Sequence, residues 1–123
     1  MKIEFISTNA DINNKKEIYR MTKGESLKIE GLEKGLSLPV GKYALYNEEK
    51  ERNKQDGTKE KYVQKVLTFI SGDKKFGTIS ATFIDSFMEI VELMENDPFA
   101  ILITGGQSKN GRTYVNCELD CDF

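Results

Sequence analysis

A chain of 123 residues that is 38 % hydrophobic fits one domain around one modest core. Its 18 Lys and Arg against 20 Asp and Glu leave a formal charge of −2, and no apolar run approaches the length of a membrane span. The absence of histidine removes the commonest general base, the commonest metal ligand and every Ser-His or Cys-His nucleophile pair.

Other chemical signals are sparse. Cys117 and Cys121 have no partner cluster, which is too few thiols for a zinc site and suits a reducing cytoplasm better than a disulfide framework. No P-loop is present and no GxGxxG follows a strand. The start, MKIEFISTNADINNKKE, lacks the hydrophobic region of a secretory signal. The expectation is a cytoplasmic domain that is not an enzyme, with no cofactor and no metal.

In chain order, Ile3 and Phe5 begin a short apolar alternation, and three roles are open to residues 1–15: an edge strand, an arm, or a contact with a second subunit. Glu17–Thr22 and Ser26–Ile29 read as strands broken at Lys23-Gly24, and GLEKGLSLPVG reads as a loop. Lys42–Glu49 and Lys61–Ile70 are the best strand candidates, rich in Tyr, Val, Leu and Phe and joined through an Asp56-Gly57 turn. The charged residues 48–60 would then be a long hairpin tip, with a bulge near Lys65 reconciling that lysine with Val63, Leu67 and Phe69 on one face. Phe76–Ser80 continues as a short strand.

Thr82–Asn96 predicts a helix, with Thr82 and Asp85 spaced as in a capping box. Phe83, Phe87, Ile90, Val91 and Met94 recur on one face and Asp85, Glu89, Glu92 and Glu95 on the other, a core stripe and a wet face. Phe99–Thr104 is a buried strand, GGQSKNG a connection, and Arg112–Leu119 alternates with Val115, Cys117 and Leu119 inward.

The charge is unevenly spread. Residues 42–75 hold nine Lys/Arg against six Asp/Glu, and three tyrosines stand among them, whereas residues 84–123 hold two basic residues against eight acidic ones. Cations that neutralise phosphates beside rings that stack bases are the ingredients of single-strand binding. The bland counterpart is a solvated, lysine-rich hairpin tip. Strands, a long hairpin, one helix and a final hairpin match an all-β OB-fold with one helix: a five-stranded Greek-key barrel with the helix between strands 3 and 4. One such domain would span residues 1–123, with the basic hairpin as strands 2 and 3 of its oligonucleotide face.

Residues Tyr62–Leu119 resemble the small single-stranded DNA-binding proteins of phages that infect Gram-positive bacteria. The resemblance rests on Thr68-Phe69-Ile70, Gly72-Asp73, the short strand before an FxxxF helix, the turn from Gly106 to Gly111 and the closing strand Thr113–Leu119. It implies stoichiometric, sequence-independent coating of single-stranded DNA in phage replication and recombination, in the host cytoplasm, with replication or recombination proteins as partners. The chain departs from many strand binders in having no Trp, so tyrosine must supply the stacking. Its end, Glu118 to Phe123, is similar to acidic, Phe-ended tips that recruit partners, which makes Asp120, Asp122 and Phe123 candidate partner contacts; finishing the last strand is the alternative.

The expected interface is therefore Lys50, Arg52, Lys54, Lys59, Lys61, Lys65, Lys109 and Arg112 on phosphates, with Tyr43, Tyr46, Tyr62 and Tyr114 stacking bases. A homodimer would lengthen the track. An RNA-binding OB-fold or a phage or plasmid protein-interaction module would use the same scaffold, and a divalent-ion nuclease is the weakest reading.

Overall fold

The computed structural model describes residues 3–107 and 109–123, so the start of the predicted arm (Met1, Lys2) and Ser108 of the final connection lie outside it. In chain order it forms β1 (Ile3–Thr8), α1 (Lys15–Thr22), β2 (Leu27–Lys28), a single 3-10 turn (Ile29–Gly31), β3 (Ser37–Val40), β4 (Tyr43–Asn53), β5 (Lys59–Ser71), β6 (Lys74–Thr78), α2 (Ala81–Met94), β7 (Phe99–Gln107) and β8 (Thr113–Leu119). The architecture is mostly β, with two helices where the sequence predicts one. No helix among the described residues is long and apolar enough to cross a membrane.

The strands make a five-stranded sheet in the order β1-β4-β5-β6-β2 and a three-stranded sheet in the order β3-β7-β8. Only Gly41 and Lys42 separate β3 from β4, so the chain turns a corner there from one sheet into the other. The two sheets are not closed into a barrel. β1 pairs antiparallel with β4 and is an edge strand, with an irregularity between Phe5 and Ser7.

The main core lies between the sheets and is sealed by α2. The predicted stripe holds: Phe83, Phe87, Ile90 and Val91 are buried, while Asp85, Glu89, Glu92 and Glu95 are exposed. The cap is Ser80, whose Oγ accepts from the Phe83 amide at 3.3 Å, and not Thr82, which lies one residue inside the helix. Glu95, at φ 55°, ends it one residue before the predicted Asn96. Phe69 stacks on Phe76, Phe83 and Phe87, which binds sheet to helix.

The amino-terminal third departs most from its prediction. Glu17–Thr22 is helical because Asn14 caps it, accepting from the Lys16 and Glu17 amides. That helix buries Met21 against Ala44 and Tyr46, with Ile3, Phe5, Val66 and Ile70 packed around them. A second, small core therefore covers the other face of the large sheet. Of Ser26–Ile29 only Leu27 and Lys28 pair, parallel to β6. The predicted loop contains β3, where Pro39 is tolerated because β3 is an edge strand and one side of its backbone needs no partner.

The β4–β5 ladder runs without a break from Tyr43↔Phe69 to Asn53↔Lys59, so the bulge near Lys65 is absent. Lys65 shares a face with the buried Leu67 and Phe69 and remains exposed, because the hairpin has left the core by that point.

Candidate nucleic-acid interface

The register of the hairpin decides which predicted residues share a surface. Side chains alternate across a strand, so Lys50 and Arg52 stand on the same face as Tyr62, with Lys50 directly opposite it. Lys59, Lys61 and Lys65 fall on the other face with Val63, and Lys54 sits in the turn. One predicted patch thus divides into two. On the first face the Arg52 guanidinium lies 5.2 Å from the centre of the half-buried Tyr62 ring, and its Nε donates to Glu60 at 2.9 Å. That hydrogen bond to the carboxylate raises the guanidinium's pKa further and keeps the cation over the ring. On the second face Lys61 pairs with Glu49 at 3.8 Å.

Tyr43 and Tyr46 are not stacking platforms. They are 8 % and 3 % exposed. Tyr43 packs edge-on to Phe87 at 5.8 Å, and its hydroxyl meets the Ser7 Oγ at 3.2 Å. Tyr46 lies against Phe5 at 6.0 Å, and its hydroxyl donates to the Thr22 carbonyl at 3.4 Å. Both are core residues, one for each face of the sheet. Burial pushes the Tyr46 phenol up to about 12 and the buried Cys117 thiol also to about 12. Both pKa values are raised in the folded protein, so this stability is complete below the unfolded values and is lost as pH rises through the folded ones. Thermal stability should therefore fall as pH rises from the ordinary values, 10.0 for a tyrosine and 9.0 for a cysteine, to about 12. Tyr46→Phe should lessen that alkaline loss in a melting series, and an unchanged profile would mean that Tyr46 does not contribute.

The outer face of the sheet carries a groove of about 290 Å³ lined by Lys28, Lys50, Lys75, Gln64, Tyr46 and Glu48, among others. Lys28 comes from β2 and Lys75 from β6, neither of which was among the predicted site residues. Glu48 lies between two cations, 3.6 Å from Lys23 and 3.4 Å from Lys50. The lysine ends of both pairs are exposed and such pairs are worth only about 0–1 kcal/mol, so Lys50 can turn from Glu48 to a phosphate at little cost. The Lys75 ammonium donates to the Arg20 and Lys23 carbonyls at 2.7 and 2.5 Å, capping the end of α1. Partial burial there lowers its pKa.

Beyond Gly24 and Lys75, which line both, the groove meets a larger cleft of about 550 Å³ between α1 and the β5–β6 turn. Lys16, Tyr19, Arg20, Lys23 and Lys74 line it. The signal for it was present in KKEIYRMTK, where Lys16 and Arg20, and Tyr19 and Lys23, are each four apart. Reading that run with a two-residue period concealed it.

Tyr114 lies on β8 of the smaller sheet and Lys109 and Arg112 in the β7–β8 connection, and none of them shares a hydrogen bond, ion pair or ring contact with the hairpin among the described residues. Tyr114 is 47 % exposed and lies over Gly106, where an added Cβ would come within 3.2 Å of its hydroxyl. At Gly105 a Cβ would fall 2.3 Å from the Tyr114 carbonyl oxygen, so only glycine fits the close approach of β7 to β8 there. At the carboxyl end, Asp120 accepts from the Ser37 Oγ at 2.5 Å and its amide donates to the Ala100 carbonyl, so it is tied to the fold. Asp122 and Phe123 are exposed. No cluster of three or more His, Cys, Asp or Glu among the described residues could hold a metal ion. Compared with protein-family models, curated proteins and solved structures, the chain gives no match.

Proposed function

We propose that the protein binds single-stranded DNA without sequence preference, performs no chemistry on it, and holds it along the outer face of β4, β5 and β6. The observation that carries this reading is the groove: Lys28, Lys50 and Lys75 line it, and the Arg52–Tyr62 pair stands beside Lys50 on the same face. Phosphates would meet the cations and an unpaired base would stack on the Tyr62 ring beside Arg52. A duplex offers no free base face to that ring, and a chain of net charge −2 has little general attraction for it.

The fold reading that goes with this is an open OB-fold in which β3 and β4 are two halves of one bent first strand. The strand path is then β6-β5-β4/β3-β7-β8, with α2 between the third and fourth strands. In such a fold the face of strands 2 and 3 and the loops after strands 1 and 4 contact oligonucleotides. Those elements are β5, β6, the hairpin tip with Lys54, and the connection carrying Lys109 and Arg112. This order makes the basic hairpin strands 1 and 2, one earlier than the sequence suggested.

Fluorescence anisotropy with poly(dT), matched RNA and duplex DNA across a salt series tests the function. Poly(dT) should bind best, with log K falling against log salt at about −0.7 per phosphate contact, or roughly −3 for four contacts. No binding of poly(dT) at micromolar protein in low salt would overturn it, and preferential binding of RNA would reassign the ligand.

A further inference from the structure

The cleft beside α1 is chemically distinct from its surroundings. Five cations line it (Lys16, Arg20, Lys23, Lys74 and Lys75) against two acids, Glu25 and Asp73. Lys23 is engaged with Glu48 and Lys75 with the helix end, but Lys16, Arg20 and Lys74 form no ion pair among the described residues. In the same wall stands Tyr19, 66 % exposed, an aromatic ring that packs against no other ring among the described residues. A volume of about 550 Å³ lies in the range of sites that hold a small organic ligand.

Lys16 and Arg20, four apart, share one face of α1, with Tyr19 next to Arg20 on the neighbouring face and Lys23 at the carboxyl cap. Cations and an open ring are thus presented side by side, the pairing that holds a phosphate and its base together. The cleft also connects with the sheet groove. Gly24, at φ 80°, and Lys75 line both cavities, and a Cβ on Gly24 would come within 4.0 Å of the Lys75 Nζ. The left-handed φ of Gly24, which favours glycine, and not a steric clash is what restricts this position.

We infer that the α1 cleft is a second nucleotide subsite on the path of the same strand, with Tyr19 stacking a base and Lys16, Arg20 and Lys74 holding the adjoining phosphates. This rests on the single-strand reading and extends it: α1 lengthens the track, so the occluded length exceeds what the sheet face alone covers.

The test is an oligo(dT) length series by anisotropy with the full chain, comparing wild type, Tyr19→Ala and Lys16→Ala/Arg20→Ala. All three side chains are exposed, so the variants should melt like wild type. Tyr19→Ala should bind the longer oligonucleotides roughly 5- to 150-fold more weakly, the range for one lost stack, Lys16→Ala/Arg20→Ala about 25-fold more weakly at 0.1 M salt for two lost phosphate contacts, and both should bind the shortest ones as wild type does. The length at which affinity saturates should also shorten. Wild-type binding with unaltered length dependence in both variants overturns this inference alone. Failure of wild type to bind at any length overturns the single-strand reading and the subsite with it.

Discussion

Phe87→Ala should destabilise the protein by about 3–5 kcal/mol, the usual cost of emptying a fully buried aromatic site. Phe87 is 0 % exposed and is the ring on which the halves of the protein meet. It touches Phe69 of β5 at 5.3 Å, Tyr43 of β4 at 5.8 Å, Phe99 of β7 at 6.1 Å and Phe83 of its own helix at 6.5 Å. Because the two sheets share no closed barrel, α2 and this ring do much of the joining. Truncation would leave a cavity walled by three strands from two sheets, which cannot all move inward together. Urea unfolding at constant m-value measures the loss, with Phe87→Leu as a milder substitution should the alanine variant fail to fold. Leu93→Ala, on the same helix but 73 % exposed, should change stability by less than about 0.5 kcal/mol. A loss below about 1 kcal/mol at Phe87 would mean that the sheets hold together without it.

The same two-sidedness explains what could and could not be read from the residues. The Asp56-Gly57 turn, the stripe of α2 and the alternation of β8 are local patterns, and each appears where the sequence put it. Tyr43 and Tyr46 were misjudged for a non-local reason. Four consecutive residues, Tyr43 to Tyr46, are all buried, because α2 covers one face of β4 while α1, with the Ile3 and Phe5 side chains of neighbouring β1, covers the other. Alternation can assign an inner and an outer face only where one face is wet. With α1 read as a strand, nothing remained to cover the second face, and the tyrosines looked free. The error also hid the α1 cleft, since Tyr19, Lys16 and Arg20 converge only at helical spacing. Charge was legible in amount but not in side: the register divides the hairpin lysines between two faces, and with Lys65 in phase with Val63, Leu67 and Phe69 the residue pattern allowed a bulge that would have changed the face carrying Tyr62.

That division makes the sharpest test of the interface. Lys28→Ala/Lys50→Ala should weaken poly(dT) binding about 25-fold at 0.1 M salt, since two phosphate contacts at a slope of about 0.7 each give 1.4 decades per tenfold change in salt. The salt slope itself should become shallower by about 1.4. Lys59→Ala/Lys61→Ala removes the same formal charge from the opposite face of the same hairpin. It should cost only the long-range part of the attraction, a few-fold at low salt, which screening erases within about 10 Å at 0.1 M. All four lysines are exposed and their ion pairs are weak, so neither variant should alter folding. Equal losses from the two pairs would mean that net charge and not the groove holds the strand. A larger loss from Lys59 and Lys61 would move the strand to the other face, where Val63 and Lys65 stand. Only a loss that is much larger for Lys28 and Lys50, with the few-fold effect at Lys59 and Lys61 vanishing as salt rises, fits a strand lying between β2 and β4 with a base against Tyr62.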